Sequence, residues 1–195
     1  MSSIQLALSQ LFAEALLLTD QGYFLAEYDP DWRSPCELPS GTDALINREA
    51  IVPDSIPWKP VTQEPKVDFS GLENALETTI HPDLVTYFSS YWSGTIETKS
   101  LEGHTSLIQL WNPEDFDRLI ENYIGHSLAK RRIKESLTFF FATTEPDSEY
   151  FLSIDNATGA VLLEEPGRSP IKQVDDNLFN FLQRLTPVNS VPEIF

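Results

Sequence analysis

The stretch from Gln109 to Thr143, QLWNPEDFDRLIENYIGHSLAKRRIKESLTFFFAT, constrains the fold most. In one run it carries a buried strand, a helix with a marked beginning, a basic turn and a second buried strand. Asn112 suits an N-cap and Pro113 the first helical position, where a missing N–H costs nothing. Glu114, Asp115 and Asp117 place negative charge at the positive end of the helix dipole. Phe116, Leu119, Ile120, Tyr123 and Ile124 recur at three- and four-residue spacing, so one stripe faces a core and Asp117, Arg118 and Glu121 lie on the other side. This spacing predicts Phe116, Ile120 and Tyr123 in the core together with Leu110. Gly125 predicts a break or bend. Beyond it, Lys130, Arg131, Arg132 and Lys134 mark a second helical C-terminus, and Leu137 to Ala142 reads as an interior strand.

The rest of the chain can be hung on that stretch. Ser3 caps a helix from about Ile4 to Thr19, whose apolar face is Ile4, Leu8, Leu11, Phe12, Ala15 and Leu18. From Tyr28 to Phe69 prolines at 30, 35, 39, 53, 57, 60 and 65 are too closely spaced for helix, and loops of this length are commonly functional. Ser70 and Glu73 have capping-box spacing for a short helix to about Thr78, with Glu73 and Glu77 on one face. His81-Pro82 opens another helix or strand. Ile96 to Lys99 and Thr105 to Trp111 flank a hairpin turn at Leu101 to His104. Tyr150 to Ile154 and Ala160 to Leu163 flank a second turn. Asp175 or Asp176 starts a last helix, and the tail after Pro187 frays. Strands arriving as hairpins with helices at both ends argue for an α+β fold, residues 1–195 forming a single domain with a mainly antiparallel sheet flanked by helices.

Charge is the strongest compositional fact: the formal net charge is −17. Residues 1–98 carry 15 acidic and 4 basic side chains, whereas residues 99–195 carry 15 and 9, so the excess sits in the first half. Such a surface repels nucleic acid and anionic lipid alike and favours a basic partner. The single cysteine excludes an internal disulfide, and the N-terminus lacks the pattern of a secretory signal, which points to the cytoplasm. No apolar run approaches the roughly 18 to 20 residues needed to span a bilayer. The first helix has no Lys or Arg with which to lie on lipid, so no lipid anchor is expected.

Reactive constellations are absent from the pattern. There is no Gly-x-Ser-x-Gly, no phosphate-cradling Gly loop and no paired Cys or His at metal-ligand spacing, so no catalytic residue, cofactor or metal is assigned. His126 follows Gly125 and reads as a capping or packing residue; Cys36 has only Arg33 as a basic neighbour, and nothing marks it as an activated thiol. Asp29 with Asp31, or Asp115 with Asp117, could pair as hydrolase carboxylates, but such pairs arise by chance among 30 acidic residues.

Gln109, Trp111, Glu114, Asp115, Phe116 and above all Glu121, Asn122, Ile124, Gly125 and His126 make the chain similar to the Syd family of SecY-interacting proteins. The resemblance extends to Ser34, Pro35 and Cys36, to Leu137 through Thr143, and to Asp155, Asn156, Gly159, Val161, Glu164, Pro166 and Gly167. It implies the same α+β fold, grouped with a superfamily that includes immunity proteins against nuclease toxins. It also implies a cytoplasmic protein, peripheral on the inner membrane, that docks on the basic cytosolic loops of the SecY translocon and monitors or modulates its assembly. The positive-inside rule gives those loops the right sign. The expected partner-binding residues are Asp54, Glu64, Glu73, Glu77, Asp115 and Glu121. The alternative of a different class is an acidic immunity or inhibitor protein that covers the basic site of a nuclease toxin.

Overall fold

Helices stand between groups of short strands through residues 2–38, 55–145 and 148–189, the residues that a computed structural model of the chain describes. In order these are α1 (Ser3–Leu17), β1 (Phe24–Glu27), β2 (Ser55–Trp58), β3 (Val61–Thr62), α2 (Ser70–Leu76), α3 (Pro82–Phe88), β4 (Tyr91–Trp92), β5 (Ile96–Ser100) and β6 (Gly103–Leu107). There follow α4 (Pro113–Ile133), β7 (Thr138–Thr143), β8 (Phe151–Asp155), β9 (Val161–Glu164), β10 (Lys172–Asp175), α5 (Leu178–Gln183) and β11 (Thr186–Pro187). The expected α+β architecture is observed. A seven-stranded antiparallel sheet runs in the order β10-β9-β8-β7-β6-β5-β11, and two small two-stranded sheets join β1 to β2 and β3 to β4.

The large sheet is curled. Arg184, just after α5, donates through Nε to Asp175 of β10 at 2.9 Å and through Nη1 to Glu102 of the β5–β6 turn at 2.5 Å. Two places far apart in strand order are thereby held by one guanidinium. A cavity of about 170 Å³ remains inside this curl, lined by Thr105, Leu152, Leu163, Val174 and Phe181 among others.

One hydrophobic cluster draws on every helix and most strands. Aromatic edges dominate it: Tyr123 of α4 packs on Phe139 and Phe140 of β7, while Phe141 of the same strand meets Tyr87 of α3 and Phe181 of α5. A bulge between Phe140 and Ala142 lets consecutive phenylalanines serve both sides of the strand. Two fully buried tyrosines keep their hydroxyls satisfied, Tyr123 donating to Phe140 O at 2.7 Å and Tyr87 to Ile108 O at 3.0 Å.

Several sequence expectations are corrected. Gly125 neither breaks nor bends the chain out of helix: α4 is continuous for 21 residues, so the basic cluster is the end of that helix and not of a second one. Packing of Tyr123, Ser127 and Lys130 on the sheet outweighs one glycine's propensity cost of about 1 kcal/mol. Leu110 is buried as expected, but it forms only an isolated bridge to Trp92, because β6 has already ended at Leu107. Phe116 and Ile120 are half-buried and pack on the core's rim. Ser2, not Ser3, caps α1, accepting from Gln5 N at 3.1 Å. Ser70 is inside α2, and Glu73 accepts from Ile80 N at 2.9 Å instead of closing a capping box. Asn177 caps the last helix. β2 and β3 lie within the stretch read as irregular, Pro57 standing in β2.

Candidate protein-interaction surface

The beginning of α4 is fastened to the segment that precedes β2. Asn112 Oδ1 accepts from Asp115 N at 2.9 Å, satisfying an N–H that helix geometry leaves free, and Asp115 Oδ2 reaches back past the cap to accept from Trp111 N at 3.0 Å. Asn112 Nδ2 then donates to Arg33 O at 3.1 Å, Trp111 Nε1 donates to Trp32 O at 3.0 Å, and Ser34 Oγ donates to Trp111 O. Arg118 lies 3.9 Å over the ring of Trp32. Cys36 is fully buried beside Ser34, and burial pushes its thiol up to about 12. That thiol stays protonated at neutral pH, which makes it a packing residue and not a nucleophile.

The far half of α4 rests on the sheet through polar groups. Lys130 and Glu164 form a buried ion pair, and Ser153 Oγ donates to the second carboxylate oxygen. His126 Nε2 lies 3.0 Å from Thr138 Oγ1 with its ring edge-on to Phe140 and Phe151; burial lowers its pKa. This is the packing role expected of it. At the β8–β9 turn, Asn156 accepts from His81 N at 2.8 Å and donates to Thr79 O at 2.9 Å, tying α3 to the sheet.

The expected docking residues divide into two groups. Glu64 is exposed between β3 and α2, Glu77 at the end of α2 and Glu121 on α4; among the described residues none of the three carboxylates has a hydrogen-bond or ion-pair partner. Glu73 and Asp115 are half-buried and occupied by backbone N–H groups, and burial raises the pKa of Asp115. Their carboxylates are parts of the framework. Asp54 lies outside the described residues. Phe69 before α2 packs edge-on to Phe116, and Arg131 Nη2 donates to Leu76 O at 2.7 Å, so α2 and α4 lie side by side. Glu114, Asp117 and Glu121, all exposed, form an acidic row along α4; the same i, i+3, i+7 pattern in the sequence could have added the first two to the candidates.

None of the α1 to α5 helices, nor any other helix among the described residues, is long and apolar enough to cross a membrane. The family model described as Syd protein (SUKH-2) matches residues 4–187. Proteins named Protein Syd are similar over most of their length. That of Pseudoalteromonas atlantica is 42% identical over 84% of each chain. That of Colwellia psychrerythraea is 38% identical over 86% of this chain and 82% of its own. That of Photobacterium profundum is 32% identical over 92% of this chain and 91% of its own. With a fold whose latches are built from Ser34, Trp111, Asn156 and Glu164, and with a family match that spans nearly all of the chain, this protein belongs to the Syd family.

Proposed function

We propose that this protein docks on the cytosolic face of the SecY translocon through unneutralised carboxylates around α2 and α4, and that this contact reports on assembly of the channel without chemistry of its own. The carrying observation is that Glu64, Glu77 and Glu121 are exposed and unpaired on a Syd-family chain of net charge −17. Basic cytosolic loops attract such a surface while the anionic lipid around them repels it, so peripheral attachment is selective for protein.

The test is binding to vesicles with and without the channel. Reversal of Glu64, Glu77 and Glu121 together to Lys slows association with channel-bearing vesicles, since exposed charges steer encounter more than they hold the fold. Raising salt from about 0.1 M to about 1 M shortens the Debye length from about 10 Å to about 3 Å and weakens binding further. Equal binding to bare anionic vesicles, or binding untouched by the triple reversal and by salt, overturns the proposal.

A further inference from the structure

β1 is the outer strand of its small sheet, and the direction of its backbone groups follows from β2. Leu38 N donates to Pro57 O at 2.8 Å and Lys59 N to Cys36 O at 3.0 Å, so the polar groups of Pro57 and Lys59 point towards residues 36–38. Backbone groups alternate sides along a strand; Ile56 and Trp58 therefore face β1, where Ala26 and Phe24 stand opposite them. Leu25, opposite Pro57, and Glu27 then turn their N–H and C=O away from β2. Among the described residues nothing meets those groups.

This edge is short and carries one exposed charge, Glu27, but no cation that would repel a basic segment. The outer strand β10 of the large sheet bears an exposed lysine, Lys172, whereas residues 1–32 contain no Lys or Arg at all. Glu14, Asp20, Glu27, Asp29 and Asp31 surround β1 in sequence. Beside the strand lies an open depression of about 420 Å³ whose lining includes Asp20, Tyr23, Phe24, Leu25, Trp58 and Thr95. Leu25 is 41% exposed at its rim.

We propose that β1 accepts an added strand from a protein partner: an extended segment in which Lys or Arg alternates with apolar residues. Its backbone completes the outward N–H and C=O groups of Leu25 and Glu27, its cations lie near Glu27 and Asp20, and its apolar side chains enter the depression beside Trp58. This rests on the reading that the partner is basic, but the mode of capture is separately testable.

The probe is a short synthetic peptide alternating Lys and Val, together with the same peptide N-methylated at alternate residues so that one edge cannot donate. The unmodified peptide binds the full chain and slows amide exchange at Leu25 and Glu27. N-methylation on the facing edge weakens it about tenfold or more, the scale of one or two net hydrogen bonds. Leu25→Pro removes an outward N–H that β2 does not use, and weakens it similarly. Equal binding of the unmodified and the N-methylated peptide, or exchange protection confined to α2 and α4, overturns strand addition whatever happens to the Leu25→Pro variant. If channel-bearing vesicles bind the wild-type chain while the peptide does not, strand addition falls and the docking proposal stands. If the peptide binds as described while the vesicles do not, the reverse holds.

Discussion

Removing the cation of the Lys130–Glu164 pair should be among the most damaging single changes available in this fold. Both side chains are almost wholly inaccessible, at 4% and 0% exposure, and Ser153 is the other side chain that bonds the carboxylate. Lys130→Met keeps the aliphatic volume and the helix propensity, but leaves Glu164 charged in a dry site or forces it to take up a proton. Breaking a buried pair in this way costs about 3 to 5 kcal/mol, against a total stability of about 5 to 15 kcal/mol for an ordinary domain. Lys130→Met with Glu164→Leu removes both charges, and the desolvation cost of the pair disappears with them. The double variant should therefore lie within about 1 kcal/mol of the original or above it, the coupling between the two sites being several kcal/mol. Equilibrium urea unfolding reads all four corners of the cycle, provided the slope with denaturant stays constant. A loss below about 0.5 kcal/mol for Lys130→Met, the level of ordinary surface substitutions, would mean that α4 is not seated on β8 and β9 as described.

Two glycines with opposite surroundings make a paired prediction in the same assay. Gly125 is exposed within α4 and an added methyl group meets nothing within 4 Å, so Gly125→Ala should stabilise by about 0.5 to 1 kcal/mol; destabilisation would restore a break there. Gly159 has φ +79° and an added Cβ would lie 2.6 Å from His81 Nε2, so Gly159→Ala should destabilise by about 1 to 3 kcal/mol, and a neutral result would refute the close approach of turn and ring. Burial lowers the pKa of His126, so the unfolded chain binds this proton more readily than the folded one. Stability conferred by neutral His126 is complete above the ordinary value of about 6.5 and is lost as pH falls below it; His126→Phe should flatten that part of the stability profile, and an unchanged slope would refute the assignment.

The legible parts of the sequence were those in which local chemistry and tertiary use agree. Asn112-Pro113 with Asp115 announces the start of α4, and Asn112 makes the side-chain bond to Asp115 N that capping requires. The hairpin strands showed themselves through alternation and turn glycines. What stayed hidden depends on partners distant in sequence. Nothing local to Gly125 records that Tyr123, Ser127 and Lys130 are clamped to the sheet on either side of it, and nothing local to Glu73 records that Ile80 N waits for its carboxylate. β2 and β3 were masked by prolines, one of which is compatible with its strand because Pro57 turns its backbone away from β1.

The residues that made the family recognisable are, in large part, those that hold the fold. Ser34 and Trp111 latch the segment before β2 to α4; Asn156 ties α3 to the β8–β9 turn; Glu164 anchors the end of α4; His126 and Phe140 pack behind them. Each of these contacts needs one donor, acceptor or shape at one place, so each leaves a sharp mark on the sequence. A docking surface of carboxylates makes a looser demand. Attraction between exposed charges falls off over about 10 Å at moderate salt, and within that distance one glutamate substitutes for another at a neighbouring position. The sign and density of charge are then under constraint while individual positions are not. That asymmetry accords with Glu73 and Asp115, which stand in the best-defined local patterns, being bound into the framework, while Glu64 and Glu77, which no family motif singles out, keep unpaired carboxylates; Glu121 combines the two, standing in the recognisable run from Glu121 to His126 with its carboxylate unpaired among the described residues.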